Sequence, residues 1–520
     1  MKRAFSMKSG FTIVELIVVI VVIGILAGLT IFGYNGIQTE ARDKTLTIDI
    51  ENVKSRIDRY AVNNGGKYDS AIDWNSATGD NPNIPFTPNE GNVIVVTGYG
   101  DSYCIKGFNP RSNNKTINQA KTAASGDYAC QTGFTQISTG GAYNYNAAHT
   151  CGISTSKKLY CWGVNTYGQL GDNSLTSRSA PVAIEQSSLP SLEVKQVAVG
   201  GAHTCVIGSD DLPYCWGRND VGQLGNGMLD GSNRMPGYVA LNGALAGKTV
   251  KQIVAGSRST CVIASDDKLY CWGHNTSGST TPVLMGGALT GKKILSVSLS
   301  EEDNLISTDP SQSVTCAIDT DRVAYCWGYN YYGNLGNGTT TSTSVPATMA
   351  MTGALAGKVL VSISASVLNT CAIANDFRAY CWGAAGTLGD GTNTASSVPV
   401  AVSTSGVLAG KSLKTIDTSY GHACALATDR NAYCWGRNTS GQLGNNSTTN
   451  ALSPVMAILP GGVATEGFTN IATGYEYSCG VAKDKSAFCW GESMNGRLGT
   501  GSIGSDALVP VLVQQSASFQ

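Results

Sequence analysis

Apolar residues change their pattern along this chain, and each change predicts a different element. From Phe11 to Phe32 they run almost unbroken, about the length that crosses the hydrocarbon core of a bilayer. Beyond that run they become periodic: Leu46, Ile50, Val53, Ile57 and Tyr60 recur every three or four residues, with Asp49, Lys54, Arg56 and Asp58 between them. This is the stripe of an amphipathic helix. One continuous helix over 11–63 would be about 80 Å long, and Asn63-Asn64-Gly65-Gly66 ends it. In the short region 64–133, the runs Asn92 to Thr97 and Tyr103 to Phe108 predict a hairpin.

From residue 134 onward the pattern repeats. A Cys-to-Cys-Trp-Gly segment occurs seven times, pairing Cys151 with Cys161, Cys205 with Cys215, Cys261 with Cys271, Cys316 with Cys326, Cys371 with Cys381, Cys424 with Cys434 and Cys479 with Cys489. First-cysteine spacings run from 53 to 56 residues. That period is in the range of propeller blades and too long for most helical solenoids. Each copy reads as four strands; in the second they are Val194 to Val199, His203 to Ile207, Leu212 to Trp216 and Tyr238 to Leu241. The expected fold is mainly β: a seven-bladed β-propeller over 134–520, preceded by a leader (1–10), a long helix (11–63) and a small α/β region (64–133). Circular closure spares the array the exposed edges that an open one would leave. No equivalent strand is evident before the first copy, so Val509 to Val513 at the end of the last copy is expected to complete the first blade and latch the ring.

Composition narrows the function. Charged residues are 14%, Gly numbers 63 and the net charge is -1, so turn-rich β structure is favoured and nucleic acid is not an expected partner. Sixteen cysteines, an even number, point to disulfides and an oxidising compartment. The pairs are expected to bridge within each repeat, and Cys104 and Cys130, the two outside the repeats, to bridge each other. The competing metal reading lacks consistent His or acid ligands, and no cofactor is expected. His149, His203 and His422 share one position in their copies, which indicates packing; His274 has no nucleophile or second base near it in sequence. Asp210, Asp211, Asp266, Asp267, Asp321 and Asp429 fall at hairpin tips, where Asp favours turns and calcium is the alternative. The Trp residues of the repeats read as filling between blades, with an exposed binding ring as the alternative.

Recognition is expected where the copies differ. The first copy inserts Tyr143 and Tyr145 and the fourth inserts residues 301–312, while the seventh has Tyr475 and Tyr477 at the corresponding place. With Tyr329, Tyr331 and Tyr332 these make a candidate ligand face, tyrosines being stiff and amphipathic. The alternative is that they cover loop backbone.

Two resemblances add to this. Lys8-Ser9-Gly10-Phe11-Thr12-Ile13-Val14-Glu15 resembles the processing site of type IV pilins and pseudopilins. The resemblance implies cleavage after Gly10 by a prepilin peptidase, methylation of Phe11, and pairing of Glu15 with the amine of a neighbouring subunit. A carboxylate at that depth otherwise costs at least about 2.5 kcal/mol. The family's usual proline is replaced here by Phe32, with Gly33 and Gly36 after it. The His-Thr-Cys, Tyr-Cys-Trp-Gly and Gly-Gln-Leu-Gly strings resemble the regulator of chromosome condensation propellers, although the third copy lacks the last string and the fifth has Gly386-Thr387-Leu388-Gly389. Together they imply a non-enzymatic, type IV pilus-like minor or tip pilin. Its partners would be other pilin subunits, the membrane and an extracellular glycan or protein. It would sit in the cytoplasmic membrane before assembly and outside the cell after it. The alternatives are a membrane-anchored propeller that binds or inhibits a protein without any filament, and a surface polysaccharide-active enzyme.

Overall fold

The computed structural model describes residues 44–63, 74–75, 85–89, 92–99, 102–108, 116–122, 126–128, 133–141, 147–185, 193–300, 313–459 and 467–514. The chain divides into two compact units, 1–130 and 131–520. The run from Phe11 to Phe32, with Gly10, Phe11 and Glu15, lies outside the described residues, as does the expected Cys104 to Cys130 bridge. Among the described residues no helix is long and apolar enough to cross a membrane.

In the first unit, helix α1 (44–63) turns Leu46, Ile50, Val53, Ile57 and Ala61 onto Ile94, Val96 and Ile105. The sheet beneath is an antiparallel meander of β1 (Trp74–Asn75), β2 (Val93–Tyr99), β3 (Ser102–Phe108), β4 (Thr116–Thr122) and β5 (Gly126–Tyr128). The hairpin read from the sequence is β2–β3, with Tyr99 opposite Ser102. Strand β4, Thr-Ile-Asn-Gln-Ala-Lys-Thr, lacks an apolar alternation and pairs with β3, Thr122 opposite Ser102 and Thr116 opposite Phe108. Asp49 lies on the buried side of α1, 1% exposed. It is tolerated there because Asn89 N–H (2.8 Å), Asn89 Nδ2 (2.6 Å) and Asn92 Nδ2 (2.6 Å) all donate to its carboxylate.

The second unit is a ring of seven four-stranded antiparallel sheets. The blades span Phe134–Ala183, Val194–Tyr238, Val250–Leu284, Ile294–Thr348, Leu360–Ala401, Leu413–Met456 and Phe468–Leu512. The second strand of every blade is wholly buried. Its cysteine lies in register with the cysteine of the third strand. Cys151 is bonded to Cys161, Cys205 to Cys215, Cys261 to Cys271 and Cys316 to Cys326. Cys371 is bonded to Cys381, Cys424 to Cys434 and Cys479 to Cys489. The Cα atoms of these pairs are 4.0 to 4.2 Å apart, closer than the 4.5 to 5.5 Å expected of facing residues. The outermost strands carry Pro181, Pro236, Pro282, Pro346, Pro399, Pro454 and Pro510, which remove donors from the open sheet edges and so protect them from pairing with other chains.

The structure corrects two expectations. The fourth strand of blade 2 is Gly231–Tyr238, not Tyr238 to Leu241, because the third strand runs on to Asn219 and the chain returns along it. No strand is exchanged at closure. Phe134–Thr139 supplies the first strand of blade 1, and the final strand, Ala507–Leu512, pairs with Ala487–Gly491 in its own blade. The spacing of Phe134 and Ile137 is that of Val194 and Val197 in blade 2, and it buries both pairs. The ring therefore closes through loops and side chains. Phe134 N–H donates to the Lys485 carbonyl (2.7 Å) and Gly501 N–H to the Ser179 carbonyl (2.8 Å).

Candidate functional site

The first-to-second and third-to-fourth connections of each blade emerge on one face, and the chemistry of the repeat lies just beneath it. His149, His203 and His422 open their second strands opposite Gly163, Gly217 and Gly436. Each Nε2 meets a hydroxyl of the next blade: Thr204 Oγ1 (2.8 Å), Thr260 Oγ1 (2.9 Å) and Ser478 Oγ (3.0 Å). Those hydroxyls donate in turn to the carbonyls of Gln169, Gln223 and Gln442 (2.8, 2.8 and 3.0 Å). The hydroxyl proton is thus used, so at His203, whose Nδ1 has no partner, Nε2 carries the imidazole proton and donates, while at His149 and His422 a backbone carbonyl at Nδ1, of Ala147 (3.2 Å) and of Ser419, competes for the same proton. The same carbonyls accept the indole N–H of Trp216, Trp272 and Trp490 (2.9, 2.8 and 2.9 Å). One carbonyl with two lone pairs holds two donors of the following blade, which explains why His-Thr, Trp and Gly-Gln-Leu-Gly travel together in the repeat. The last glycine of that string must stay bare: at Gly171 (φ +73°) a Cβ would lie 2.6 Å from Trp216 Nε1. Burial depresses the rings, to about 4 for His149 and about 3 for His203 and His422.

Blades 7 and 1 use the same joint with other residues. Tyr477 takes the histidine position, opposite Gly491. Its hydroxyl donates to the His149 carbonyl (2.8 Å), accepts from Gly140 N–H (3.4 Å) and lies 3.0 Å from Thr150 Oγ1. Arg497 replaces the glutamine, and its carbonyl accepts Thr150 Oγ1 (3.1 Å) and Trp162 Nε1 (3.0 Å). The Arg497 side chain is 0% exposed. Its Nη1 bonds to Glu492 and to the Tyr475 carbonyl (3.1 Å), Nε donates to the Met494 carbonyl (3.0 Å), and the guanidinium sits 5.7 Å from the centre of the Tyr477 ring. Burial pushes the Glu492 carboxyl up, against the pull of Arg497.

The proposed tyrosine face therefore divides. Tyr475 and Tyr477 are 1% and 0% exposed and are withdrawn as ligand residues: Tyr477 locks the ring, and Tyr475 lies against Tyr420 with centroids 4.5 Å apart. Tyr143 and Tyr145 lie outside the described residues. Tyr329, Tyr331 and Tyr332 do come together, with centroid separations of 6.4, 6.2 and 5.1 Å. Tyr331 is 69% and Tyr332 37% exposed, so blade 4 presents an open aromatic cluster. Sequence reasoning missed the charges on this face. Arg218 and Arg258 converge on Asp220 (2.7 and 3.0 Å), Arg218 covers the Tyr167 ring, and Arg437 covers Tyr420 while pairing with Glu476 (2.7 Å). The arginine after Trp-Gly in the second and sixth copies was the available signal.

On the opposite face the hairpin acids hold the turns. Asp210, Asp266, Asp376 and Asp429 accept the hydroxyls of Tyr214, Tyr270, Tyr380 and Tyr433 at 2.5 to 2.8 Å. Among the described residues no three His, Cys, Asp or Glu side chains gather as metal ligands. A central cavity of about 250 Å³ is lined by the innermost strands of blades 1 to 6. Its acid, Asp417, is engaged by Thr473 N–H (2.8 Å), Thr473 Oγ1 (3.1 Å) and Ser364 Oγ (3.0 Å), and so ties blades together.

A closed ring of four-stranded blades joined in this way is a β-propeller. Residues 158–207, 211–263, 323–373 and 431–481 match the model of the regulator of chromosome condensation (RCC1) repeat. A second model of that repeat matches 144–169, 194–223, 250–279 and 414–442. Residues 5–31 match the prokaryotic N-terminal methylation motif. The chain thus joins a pilin-type methylation motif to a seven-bladed propeller that carries RCC1 repeats. It is 26% identical over 359 residues to the ultraviolet-B receptor UVR8 of Arabidopsis thaliana, covering 68% of this chain and 77% of that protein. It is 29% identical over 312 residues to the mouse (Mus musculus) E3 ubiquitin-protein ligase HERC2, covering 58% of this chain but 6% of that protein. Among solved structures, Prp20p from Saccharomyces cerevisiae, described with its binding to Gsp1p and histones, superposes with a TM-score of 0.59 at 19% identity, over 70% of this chain and 88% of that one. At that identity the likeness is one of fold.

Proposed function

We propose that this protein is a pilin-type subunit, a minor or tip component of a type IV pilus-like filament, which displays its propeller outside the cell to bind a glycan or protein. The observation that carries this reading is the methylation motif at 5–31 ahead of a ring with a buried disulfide in every blade. Disulfides of that kind persist in oxidising compartments, and the motif supplies a route there. In this reading prepilin peptidase cuts after Gly10, Phe11 is methylated, the apolar run holds the chain in the cytoplasmic membrane, and Glu15 meets a neighbouring pilin. The propeller acts by binding, with His149, His203 and His422 committed to joints and the hairpin acids to turns.

Shearing filaments from the producing cells tests it. The chain recovered with them should begin at N-methylated Phe11 by mass spectrometry. A processed chain that stays in the membrane fraction would favour the second reading, a membrane-held propeller that binds a partner protein, to which the protein-binding fold relative Prp20p lends support. The Tyr329, Tyr331 and Tyr332 cluster is the proposed contact surface. Exposed aromatic anchors contribute about 1 to 2 kcal/mol each, so Tyr331→Ala with Tyr332→Ala should weaken cell-surface or glycan binding at least about tenfold while leaving melting unchanged. Equal binding by the double variant removes the cluster from the site.

A further inference from the structure

The residue after Trp-Gly changes from copy to copy on an otherwise constant frame: Val164 in blade 1, Arg218 in blade 2, His274 in blade 3 and Arg437 in blade 6. Its N–H donates to a carbonyl of the same blade's first-to-second connection, Arg218 to Ala202, His274 to Arg258 and Arg437 to Gly421, each at 2.9 Å. These side chains therefore share the loop face. Charge is not evenly balanced over it. Arg437 pairs one to one with Glu476 (2.7 Å), and the buried Arg497 with Glu492.

At the joint of blades 2 and 3, two cations share one anion. The third-to-fourth connection of blade 2 crosses the joint, where its Gln223 carbonyl holds Thr260 and Trp272, and it carries Asp220 over to Arg258. Asp220 Oδ2 accepts from Arg218 Nη2 (2.7 Å) and Arg258 Nη2 (3.0 Å), and Oδ1 accepts from Gln223 Nε2 (3.0 Å). The carboxylate is filled, but each guanidinium has five N–H donors. Among the described residues Nη1 of both arginines has no acceptor and is open to solvent, and Arg258 Nε is buried without one. The two side chains are only 20% and 11% exposed, and the Tyr167 ring, 5.1 Å away, backs Arg218. The pair is thus recessed and held in place before any ligand arrives.

We propose that Arg218 and Arg258 form an anion site that takes the carboxylate of an acidic polysaccharide, a glycan of the uronate type. Two planar guanidiniums with unused N–H groups match the two oxygens of a planar carboxylate, and the excess of one cation over Asp220 suits one anionic group. Beside them the partly exposed Tyr167, packed on Ala147 and Ala202, offers an amphipathic ring to a sugar. An acidic peptide would need a desolvated pocket for an apolar anchor, and this pair lies on a loop face. The inference rests on the binding reading of the propeller and makes its ligand acidic, with the blade 4 tyrosines as a further contact on the same face.

Titration calorimetry of the intact chain with oligogalacturonate, with its neutral methyl ester and with polyglutamate tests it. The uronate should bind, the ester at least about tenfold more weakly, and added salt should weaken the uronate. Arg258→Gln leaves Asp220 paired with Arg218 and should cost at least about tenfold in affinity. Asp220→Asn frees both guanidiniums and should tighten binding by about fivefold, whereas a merely structural Asp220 predicts the opposite sign. Arg437→Gln, at the register position of Arg218 but balanced by Glu476, should leave binding unchanged. Tighter binding of polyglutamate, or weaker binding by Asp220→Asn, overturns the proposal. Equal affinity for acid and ester removes the anion site and keeps the glycan reading; a chain that binds neither the saccharides nor cells loses both.

Discussion

Replacing Arg497 with methionine should destabilise the propeller by about 3 to 5 kcal/mol, the usual result of removing one partner from a buried ion pair. Methionine fills the space of the side chain but leaves Glu492 buried without its guanidinium, and it strips the Tyr475 carbonyl and the Tyr477 ring of their contact. The backbone carbonyl of residue 497, which holds Thr150 and Trp162, remains. The loss should therefore trace to the buried charge, and adding Glu492→Gln should recover a large part of it. Denaturant unfolding of the full chain measures both variants. A single variant within about 1 kcal/mol of the parent would mean that Arg497 carries no weight in closure.

The second large effect is acid destabilisation. His149, His203 and His422 have folded-state pKa values of about 4, 3 and 3, against 6.5 for an unperturbed ring. A depressed imidazole favours the folded state only while neutral. Its contribution is complete above pH 6.5 and is lost as the pH falls towards the folded values, because the unfolded chain binds the proton first. Each ring contributes on the order of 3 kcal/mol over that range. Glu492 and Asp417, whose carboxyls burial pushes up, act in the opposite sense. The histidine term is isolated by comparing the parent with the His149→Gln, His203→Gln, His422→Gln variant, where each amide can still donate across its joint. Between pH 6.5 and 5 the parent should lose Tm steadily and the variant should show a flatter profile. Parallel profiles would place the acid sensitivity elsewhere.

Local patterns were the legible part of this protein. Cys151 and Cys161 are separated by ten residues, as are the two cysteines of every other blade. A tight hairpin alone makes them opposite, and the strand period follows from spacing along a single copy. The α1 stripe was readable for the same reason, while Asp49 on its buried side was not, because its donors come from 40 and 43 residues away. The tyrosines show the limit most clearly. In sequence, Tyr475 and Tyr477 look like Tyr331 and Tyr332: aromatic residues in loops among small polar neighbours. Tyr477 is buried because its hydroxyl finds Gly140 and His149, 337 and 328 residues earlier, while Tyr331 stays open.

The chain's own order of residues thus determined the number of blades, the cysteine pairs within them and the pilin-type start. Which copy completes which blade, and which repeated residues are locks and which face outward, depended on the ring being closed. A periodic sequence makes every copy look alike, whereas a hydrogen bond across a joint depends on two residues of different copies at once. Only closure sets those pairs side by side.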